Sequence, residues 1–438
     1  MTVPKAGLEP LEDLAQFLEP FGELVVRSES REAMERYTTG LLADLGRKTA
    51  SDIGRALPGT NGQRLQEFLT RTRWDHRTMD GLRIGIMLEQ ACVGSGVLIV
   101  DDTGLPKKGE KSVGVTRQYS GTLGRVDNCQ VVVSTHYVDR VFDWPVHARL
   151  YLPKSWAEDH ERRAEVGVPE QVAFQTKGQI ALDLIDEARE ADVPFRSVVA
   201  DAGYGIQTPF LDGLEERGIP FLVALESRIR FRTLAAVQAD TGPGPAPPYK
   251  GKGPHPRPPG FEKRVPAIEA SQLLEDLQDS AWETVAWRDG VRGVLARQFT
   301  RIRAHRAGNR GAHRGQLGWL IGERPLPGHA GETKYYYAQG LDELAMEDLA
   351  EMAHMRWVIE RFYQDAKGEM GLDDYEGRLW QGLHRHIALV MLAHSYLTLQ
   401  QVYGPEVLEP PPPAGDRHRG GSPGPSRGFP PRGAEKHG

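Results

Sequence analysis

A chain of 438 residues, of which 39% are hydrophobic, is long enough to fold into two or three domains with cores of their own. Its formal net charge of -6 argues against a protein that simply coats nucleic acid, because such binding needs an excess of lysine and arginine. No apolar run approaches the roughly 18 residues of a membrane-spanning helix, and the N-terminus has no signal-peptide pattern, so we expect a cytoplasmic protein with no membrane partner.

The first ninety residues have the pattern of amphipathic helices. Hydrophobic residues recur there every three or four positions, as in residues 11–24, 34–45 and 64–72. We therefore predict a separate N-terminal helical domain over residues 1–90.

An α/β core is predicted next, over residues 91–225. Residues 94–102 form an apolar run that ends in two acidic residues, which is typical of a buried strand with carboxylates at its C-terminal end. Two β-rich runs then predict an antiparallel hairpin beside that strand, and helices alternate with strands after it. This order indicates a central mixed sheet with helices packed on it. The hairpin covers 129–138 and 146–153, and the later elements are 177–190, 195–201, 208–217 and 220–226.

The remaining residues divide into a β-rich part, a helical part and a tail. Residues 226–340 contain several β-rich runs, and we interpret them as an insertion into the core that includes a loop rich in proline and glycine at 241–260. Hydrophobic residues again recur at helical spacing over 341–404, which we predict to be the second part of the core. Residues 405–438 have too few apolar residues to offset chain entropy, so we expect this tail to be disordered.

Three places concentrate acidic residues in settings that suit metal binding. Asp101 and Asp102 end the first predicted strand, Asp201 ends the strand at 195–201, and Glu360 lies on a predicted helix. Mg²⁺ prefers oxygen ligands, and two such ions roughly 3.5–4 Å apart can activate an attacking oxygen and stabilise a leaving one. Taken singly, an aspartate after a strand is more often a turn or helix-capping residue, so the combination carries the hypothesis.

Cations accompany these acids. Arg356 and Lys367 share one face of the predicted helix with Glu360, which would place phosphate-binding groups beside a metal ligand. The alternative for Arg356 and Glu360 is an ordinary surface ion pair. Two basic clusters suggest a polyanion-binding face or, alternatively, two solvated surfaces; they contain Lys107, Lys108, Lys111, Arg117 and Arg125, and Arg288, Arg292, Arg297, Arg301, Arg303, Arg306, Arg310 and Arg314.

Three blocks of this sequence are distinctive. The first block contains Val100 to Gly104, Pro106 to Gly109, Ser112 to Val115, Arg117 to Tyr119, Gly121 and Thr122, and Asn128 to Gln130; the others are Tyr151 to Trp156 and Asp201 to Gly205. These blocks resemble insertion-sequence DDE transposases, in the branch with a Tyr-Arg-Glu-Lys signature. The resemblance covers roughly residues 30–400 and implies a ribonuclease-H-like α/β fold, a mixed sheet flanked by helices with a β-rich insertion.

The resemblance implies roles for particular residues. Asp101, Asp201 and Glu360 match the three catalytic carboxylates that hold two Mg²⁺ ions, for which Mn²⁺ may substitute. Arg356 and Lys367 match the signature cations, and with Lys107, Lys108 and Arg117 they are the expected DNA contacts. The partners implied are the terminal inverted repeats and target DNA, bound by a homodimer on paired ends in the bacterial nucleoid, with the N-terminal domain as a possible further DNA-binding part.

Some alternatives stay open at this point. The signature tyrosine is replaced by Ala353, so one phosphate contact is either lost or supplied elsewhere. Asp102 competes with Asp101 as the first ligand, although strand alternation points the two side chains to opposite faces. The function alternatives are a nuclease of the same fold that stops after nicking, and a domesticated or decayed transposase that only binds DNA. Trp357 suits either base stacking or core packing, and His384 and His386 are more often surface or satisfied residues than metal ligands.

Overall fold

A computed structural model of the chain describes residues 12–90, 96–121, 124–251, 255, 257–290, 293–307 and 316–404. The predicted disordered tail over 405–438 lies outside these residues, as do Arg292, Arg310 and Arg314 of the second basic cluster.

Residues 12–90 are helical, as the apolar spacing predicts. Side chains cap two of the helix starts, because Thr49 accepts a hydrogen bond from the backbone N–H of Asp52 and Asn61 accepts one from that of Arg64. The helices are α1 (Glu12–Leu18), a 3-10 helix (Glu19–Leu24), α2 (Ser28–Leu42), α3 (Ala50–Ala56), α4 (Gly62–Thr70) and α5 (His76–Gln90).

The predicted mixed sheet is present. Its first strand pairs antiparallel with the third and parallel with the fifth, which itself pairs parallel with the sixth. The predicted hairpin is confirmed by antiparallel pairing of the third and fourth strands. The elements are β1 (Gly96–Pro106), β2 (Thr116–Ser120), β3 (Arg125–Val138), β4 (Asp143–Tyr151), α6 (Lys154–Ala157), α7 (His160–Glu165), α8 (Lys177–Glu190), β5 (Phe195–Ala200), α9 (Ala202–Gly205), α10 (Thr208–Glu216) and β6 (Phe221–Leu225).

β1 is longer than the sequence pattern predicts. The expected strand ends at Asp102, whereas β1 continues to Pro106 because the long β3 pairs with it over Val97–Pro106. On its other side, the parallel pairing with β5 ends at Val100 and Ala200. Asp101 is therefore paired with a residue of β3 on one side of β1. On the other side, it is the first residue after the pairing with β5 ends.

The β-rich residues after β6 extend the same sheet. Within the described part of the chain the strands run in the order β2-β3-β1-β5-β6-β12-β11-β10-β7-β8, with β4 beside β3 and β9 beside β10. The described residues of the loop at 241–260 contain no helix or strand. The elements are β7 (Arg230–Thr233), α11 (Leu234–Gln238), α12 (Phe261–Arg264), β8 (Ile268–Glu269), α13 (Ala270–Glu275), a 3-10 helix (Asp279–Ala281), β9 (Glu283–Gly290), β10 (Gly293–Arg306), β11 (Leu317–Arg324) and β12 (Lys334–Gln339).

Three helices complete the described chain: α14 (Met346–Met355), α15 (Trp357–Gly368) and α16 (Trp380–Tyr403). Nearly every residue of α16 is buried, because α2, α4, α5 and β4 all pack on it. His384 and His386 lie on this buried helix and hydrogen-bond to Trp380 and Leu150, and to Tyr37, respectively. Both histidines are thus satisfied core residues. Among the helices that the structure describes, none is long and apolar enough to cross a membrane.

The N-terminal helices share one hydrophobic core with the rest of the described chain. Arg83 of α5 is fully buried and donates hydrogen bonds to the backbone carbonyls of Pro145 and Val146 in β4. Its guanidinium also pairs with Asp80, one turn earlier on α5. This buried arginine therefore ties the helical layer to the sheet.

Candidate active site

The two predicted catalytic aspartates follow paired residues of neighbouring parallel strands. Val100 of β1 is opposite Ala200 of β5, so Asp101 and Asp201 are the next residues on strands roughly 4.8 Å apart. Asp201 also caps α9, since its carboxylate accepts a hydrogen bond from the backbone N–H of Tyr204 at 3.1 Å. The register of β1 and β5 thus brings two residues that are a hundred positions apart to one edge of the sheet.

Burial makes this pair of carboxylates hard to ionise together. Burial is the main cause that raises the pKa of Asp101 to about 8; the negative charge of Asp201 adds to it, and Arg356 opposes it. The pKa of Asp201 is also raised, again chiefly by burial. Adjacent carboxylates with little water around them would ionise more easily if a cation lay between them.

Arg356 connects the third acid to this pair. Its guanidinium lies 3.2 Å from Oδ2 of Asp101 and also forms an ion pair with Glu360, one turn later on α15. Asp101 and Glu360 are thus bound to the same guanidinium, although they are 259 positions apart in the sequence. The Glu360 side chain is 54% exposed, so it faces solvent at the edge of the site rather than the core.

Further contacts fix α15 along β1. The Tyr363 hydroxyl hydrogen-bonds to Ser134 at 2.7 Å, and Ser134 is the residue of β3 directly opposite Asp101. Lys367 donates from Nζ to the backbone carbonyl of Gly104 at 3.0 Å. These contacts hold the helix that carries Glu360 over the strand that carries Asp101.

A buried charge cluster holds the middle of α15. Arg361 lies 3.0 Å from Asp143 at the start of β4, and His136 and His394 lie 3.4 and 3.8 Å from the same carboxylate. Burial alone would raise the pKa of Asp143, yet the hydrogen bond from His136 and electrostatic interactions with His394, His136 and Arg361 lower it to about 2. Sequence reasoning did not find this cluster, because its members come from four separate elements.

Asp102 has different partners from Asp101. Lys177, at the start of α8, donates to both of its carboxylate oxygens at 2.9 and 3.1 Å, and the Tyr204 hydroxyl lies 3.4 Å away. Strand alternation explains the difference, because successive side chains of β1 point to opposite faces of the sheet. Its charge is thus already balanced by Lys177.

The predicted DNA contacts near β1 divide into two kinds. Lys107 is largely buried and donates to the backbone carbonyls of Asp373 and Tyr375 at 3.1 and 2.7 Å. Burial lowers the pKa of Lys107 to about 8. Its ammonium therefore donates to carbonyls inside the protein, and a phosphate contact by Lys107 would replace these bonds. Lys108 and Arg117 are exposed and accessible to a polyanion.

Four arginines of the predicted basic face at 288–314 have partners within the protein. Arg297 pairs with the buried Glu323, and Arg306 pairs with Asp212 and Glu215. Arg301 donates to a backbone carbonyl, Arg303 pairs with Asp342, and both guanidinium groups stack on Trp319. Arg297, Arg301 and Arg303 are at odd positions of β10 and lie on one face of the strand, whereas Arg306 lies on the other.

A cleft of about 450 Å³ opens beside Glu360. Trp357 lines it and is 40% exposed, so the alternative of core packing is wrong for this residue. Arg288 and Arg361 stack on the indole at 5.3 and 5.1 Å. Ala353, at the position of the signature tyrosine, also lines the cleft, as do Lys334, Tyr335 and Tyr336 of β12, which sequence reasoning did not single out.

The residues present suit a hard divalent cation in their chemistry. Asp101, Asp201 and Glu360 offer only oxygen donors, the type that Mg²⁺ prefers. As the side chains stand, no three His, Cys, Asp or Glu residues in the described part of the chain are grouped closely enough to hold a metal ion. At this site Arg356 forms ion pairs with Asp101 and Glu360 and supplies positive charge there.

Comparison with known proteins identifies the family of the chain. A family model described as DDE superfamily endonuclease matches residues 16–294, a span that includes Asp101 and Asp201 and ends before Glu360. A protein described as a probable transposase for insertion sequence element IS701, from Microchaete diplosiphon, is 29% identical over 228 residues. That match covers 52% of this chain and 57% of the relative. The mixed sheet flanked by helices is the ribonuclease-H-like α/β fold that the resemblance implies, and the chain belongs to the DDE superfamily of endonucleases.

Proposed function

We propose that this protein is the transposase of a bacterial insertion sequence, which cuts DNA at the ends of its element and joins the freed 3′-hydroxyl to target DNA. The observation that carries the proposal is the arrangement of Asp101 and Asp201 at one sheet edge, with Arg356 bridging Asp101 to Glu360. The similarity to a probable insertion-sequence transposase supports the same activity.

Asp101, Asp201 and Glu360 are the proposed ligands of two Mg²⁺ ions, with Mn²⁺ as a possible substitute. When bound, the ions supply activation of the attacking oxygen and stabilisation of the leaving oxygen. Asp101 is preferred to Asp102 because Lys177 already balances the charge of Asp102. Arg356 forms ion pairs with both Asp101 and Glu360, and its guanidinium is the proposed contact for a DNA phosphate that approaches these acids.

The proposed DNA contacts are Lys108, Arg117, Arg356 and Lys367. The DNA that they would bind is the terminal inverted repeats of the element and the target DNA. Two element ends must be processed together, so the proposed assembly is a homodimer. We propose residues 91–225 and 341–404 as the catalytic core, with 1–90 as a helical domain and 226–340 as a β-rich insertion.

Strand transfer distinguishes this proposal from its alternatives. The full-length protein would be incubated with Mg²⁺, a duplex that carries one end of the element with a free 3′-hydroxyl, and a target plasmid. We expect joined products that contain both DNAs. Nicks without joined products would support a nuclease, and DNA binding without either product would support a DNA-binding protein that has lost catalysis.

A further inference from the structure

A second pocket, of about 550 Å³, lies next to the turn that follows Asp201. Gly205 and Ile206 form part of its wall, and Gly205 is only four residues past Asp201, roughly 6 Å along a helical path. The lining of the pocket also includes Arg228, Arg230 and Arg232, from β7 and the turn before it. The pocket is therefore basic and close to the proposed catalytic carboxylates.

Arg232 is the unusual member of this pocket. Its side chain is buried, with 4% of its surface exposed, yet no carboxylate pairs with it among the described residues. Its Nε donates to the carbonyl of Val265 at 2.7 Å and its guanidinium lies over the ring of Phe261, but Nη1 has no hydrogen-bond partner in the described part of the chain. A buried, unpaired guanidinium costs free energy that a bound anion would offset.

Two exposed arginines stand at the mouth of the pocket. The side chains of Arg228 and Arg230 are 74% and 63% exposed, and each has one carboxylate nearby, Glu226 at 2.5 Å and Glu269 at 3.7 Å. Exposed pairs of this kind are weak, so a phosphate can compete for both guanidinium groups. Arg306 also lines the pocket, but two acids already balance its charge, and we leave it out of the binding group.

The start of α10 adds to the positive potential. Thr208, its first residue, lines the pocket, and Gln207 provides no side-chain cap. The N-terminal end of a helix carries partial positive charge and favours anions. Glu262 is the acidic residue on the described lining and is exposed to solvent, so it does not neutralise the buried Arg232.

We propose that this pocket binds a backbone phosphate of the DNA strand that enters the active site, with Arg232 at its base and Arg228 and Arg230 at its mouth. The inference rests on the proposed function and adds a second strand-holding point beside Asp201. DNA is favoured over a small free anion because two of the three arginines are exposed at the rim, where a continuous backbone can reach them.

The test is the salt dependence of DNA binding by full-length protein in EDTA, where cleavage does not interfere. A fluorescent duplex carrying an element end would be titrated with wild type and with the R228A/R230A double variant at several NaCl concentrations. Each lost phosphate contact reduces the slope of log affinity against log salt by about 0.9, and because the pocket is proposed to hold one phosphate, we expect a decrease of about 0.9. The matched control is R189A/R196A, which removes two exposed arginines near the opposite end of β5 and should leave the slope nearly unchanged.

Arg232→Met separates a binding role from a structural one. If Arg232 binds the DNA phosphate, this substitution should weaken DNA binding. The thermal stability should stay the same or rise, because the substitution removes a buried charge that has no paired acid among the described residues. Should this variant fail to fold, or lose stability with no loss of affinity, Arg232 is structural and the base of the pocket is misassigned.

The outcomes also separate this inference from the proposed function. One outcome is that the wild type cuts DNA and the R228A/R230A variant keeps the full slope of log affinity against log salt. This outcome contradicts phosphate binding by the pocket but not the proposed function. A wild type that neither binds nor cuts DNA overturns both. Competition by millimolar inorganic phosphate as effective as competition by unlabelled duplex would assign the pocket to a free anion and contradict the role in holding DNA.

Discussion

Replacing Asp201 by alanine is expected to abolish DNA cleavage while leaving DNA binding close to that of the wild type. Asp201 lies at the sheet edge beside Asp101, and without it the proposed metal site loses one of three ligands. Loss of even the hydrogen-bonding support of metal ligands costs roughly 10–100-fold, so removal of a ligand itself should reduce cleavage by more than about 100-fold. The measurement is nicking of a labelled duplex in Mg²⁺, with affinity measured separately in EDTA.

Asp102→Asn is the matched comparison for this prediction. It changes a carboxylate on the same strand, directly next to Asp101, but one that Lys177 holds on the other face of the sheet. We expect it to retain much more cleavage than Asp201→Ala. If Asp102→Asn abolishes cleavage and Asp201→Ala does not, the assignment of the first two carboxylates is wrong.

The largest expected effect on stability comes from Arg83→Ala. Arg83 is fully buried between α5 and β4, and its removal leaves two backbone carbonyls without donors and Asp80 as a buried, unpaired charge. Breaking a buried pair by removing one partner costs about 3–5 kcal/mol. The free energy of unfolding, measured by urea denaturation at neutral pH, should decrease by about that amount.

Two controls show whether the effect has this cause. Arg77→Ala removes an exposed arginine from the same helix and should change the free energy of unfolding by no more than about 0.5 kcal/mol. The double variant D80N/R83M removes both charges and should be less destabilised than Arg83→Ala. If Arg77→Ala and Arg83→Ala decrease the free energy of unfolding equally, the buried contacts of Arg83 contribute little to stability.

Most elements of the fold were predictable because their residues obey a local rule. α8 has apolar residues at helical spacing and a capping box formed by Thr176 and Gln179, and the hairpin of β3 and β4 has two apolar β-rich runs. The end of β1 was not predictable in the same way. Residues 103–106 belong to the strand because β3 supplies partners for them, which is a property of another segment.

In the candidate site, too, some features were predictable from the sequence and others were not. The acids stood out because two of them follow strands, and resemblance to known blocks selected Asp101, Asp201 and Glu360 among the acids. The sequence could not reveal that Arg356 bridges two of them, or that Lys107 donates to backbone carbonyls. Nor could it reveal that Arg232 is buried with no acidic partner among the residues that the structure describes. Each of these depends on which segments meet in three dimensions.

The most direct test of the central claim is a crystal structure of the full-length protein with DNA and Mn²⁺, using anomalous scattering to locate the metal. We expect one or two anomalous peaks within coordination distance of Asp101 and Asp201, with the Glu360 carboxylate turned from Arg356 toward the metal. Metal bound elsewhere, with these three carboxylates still out of reach of a common ion pair, would contradict it.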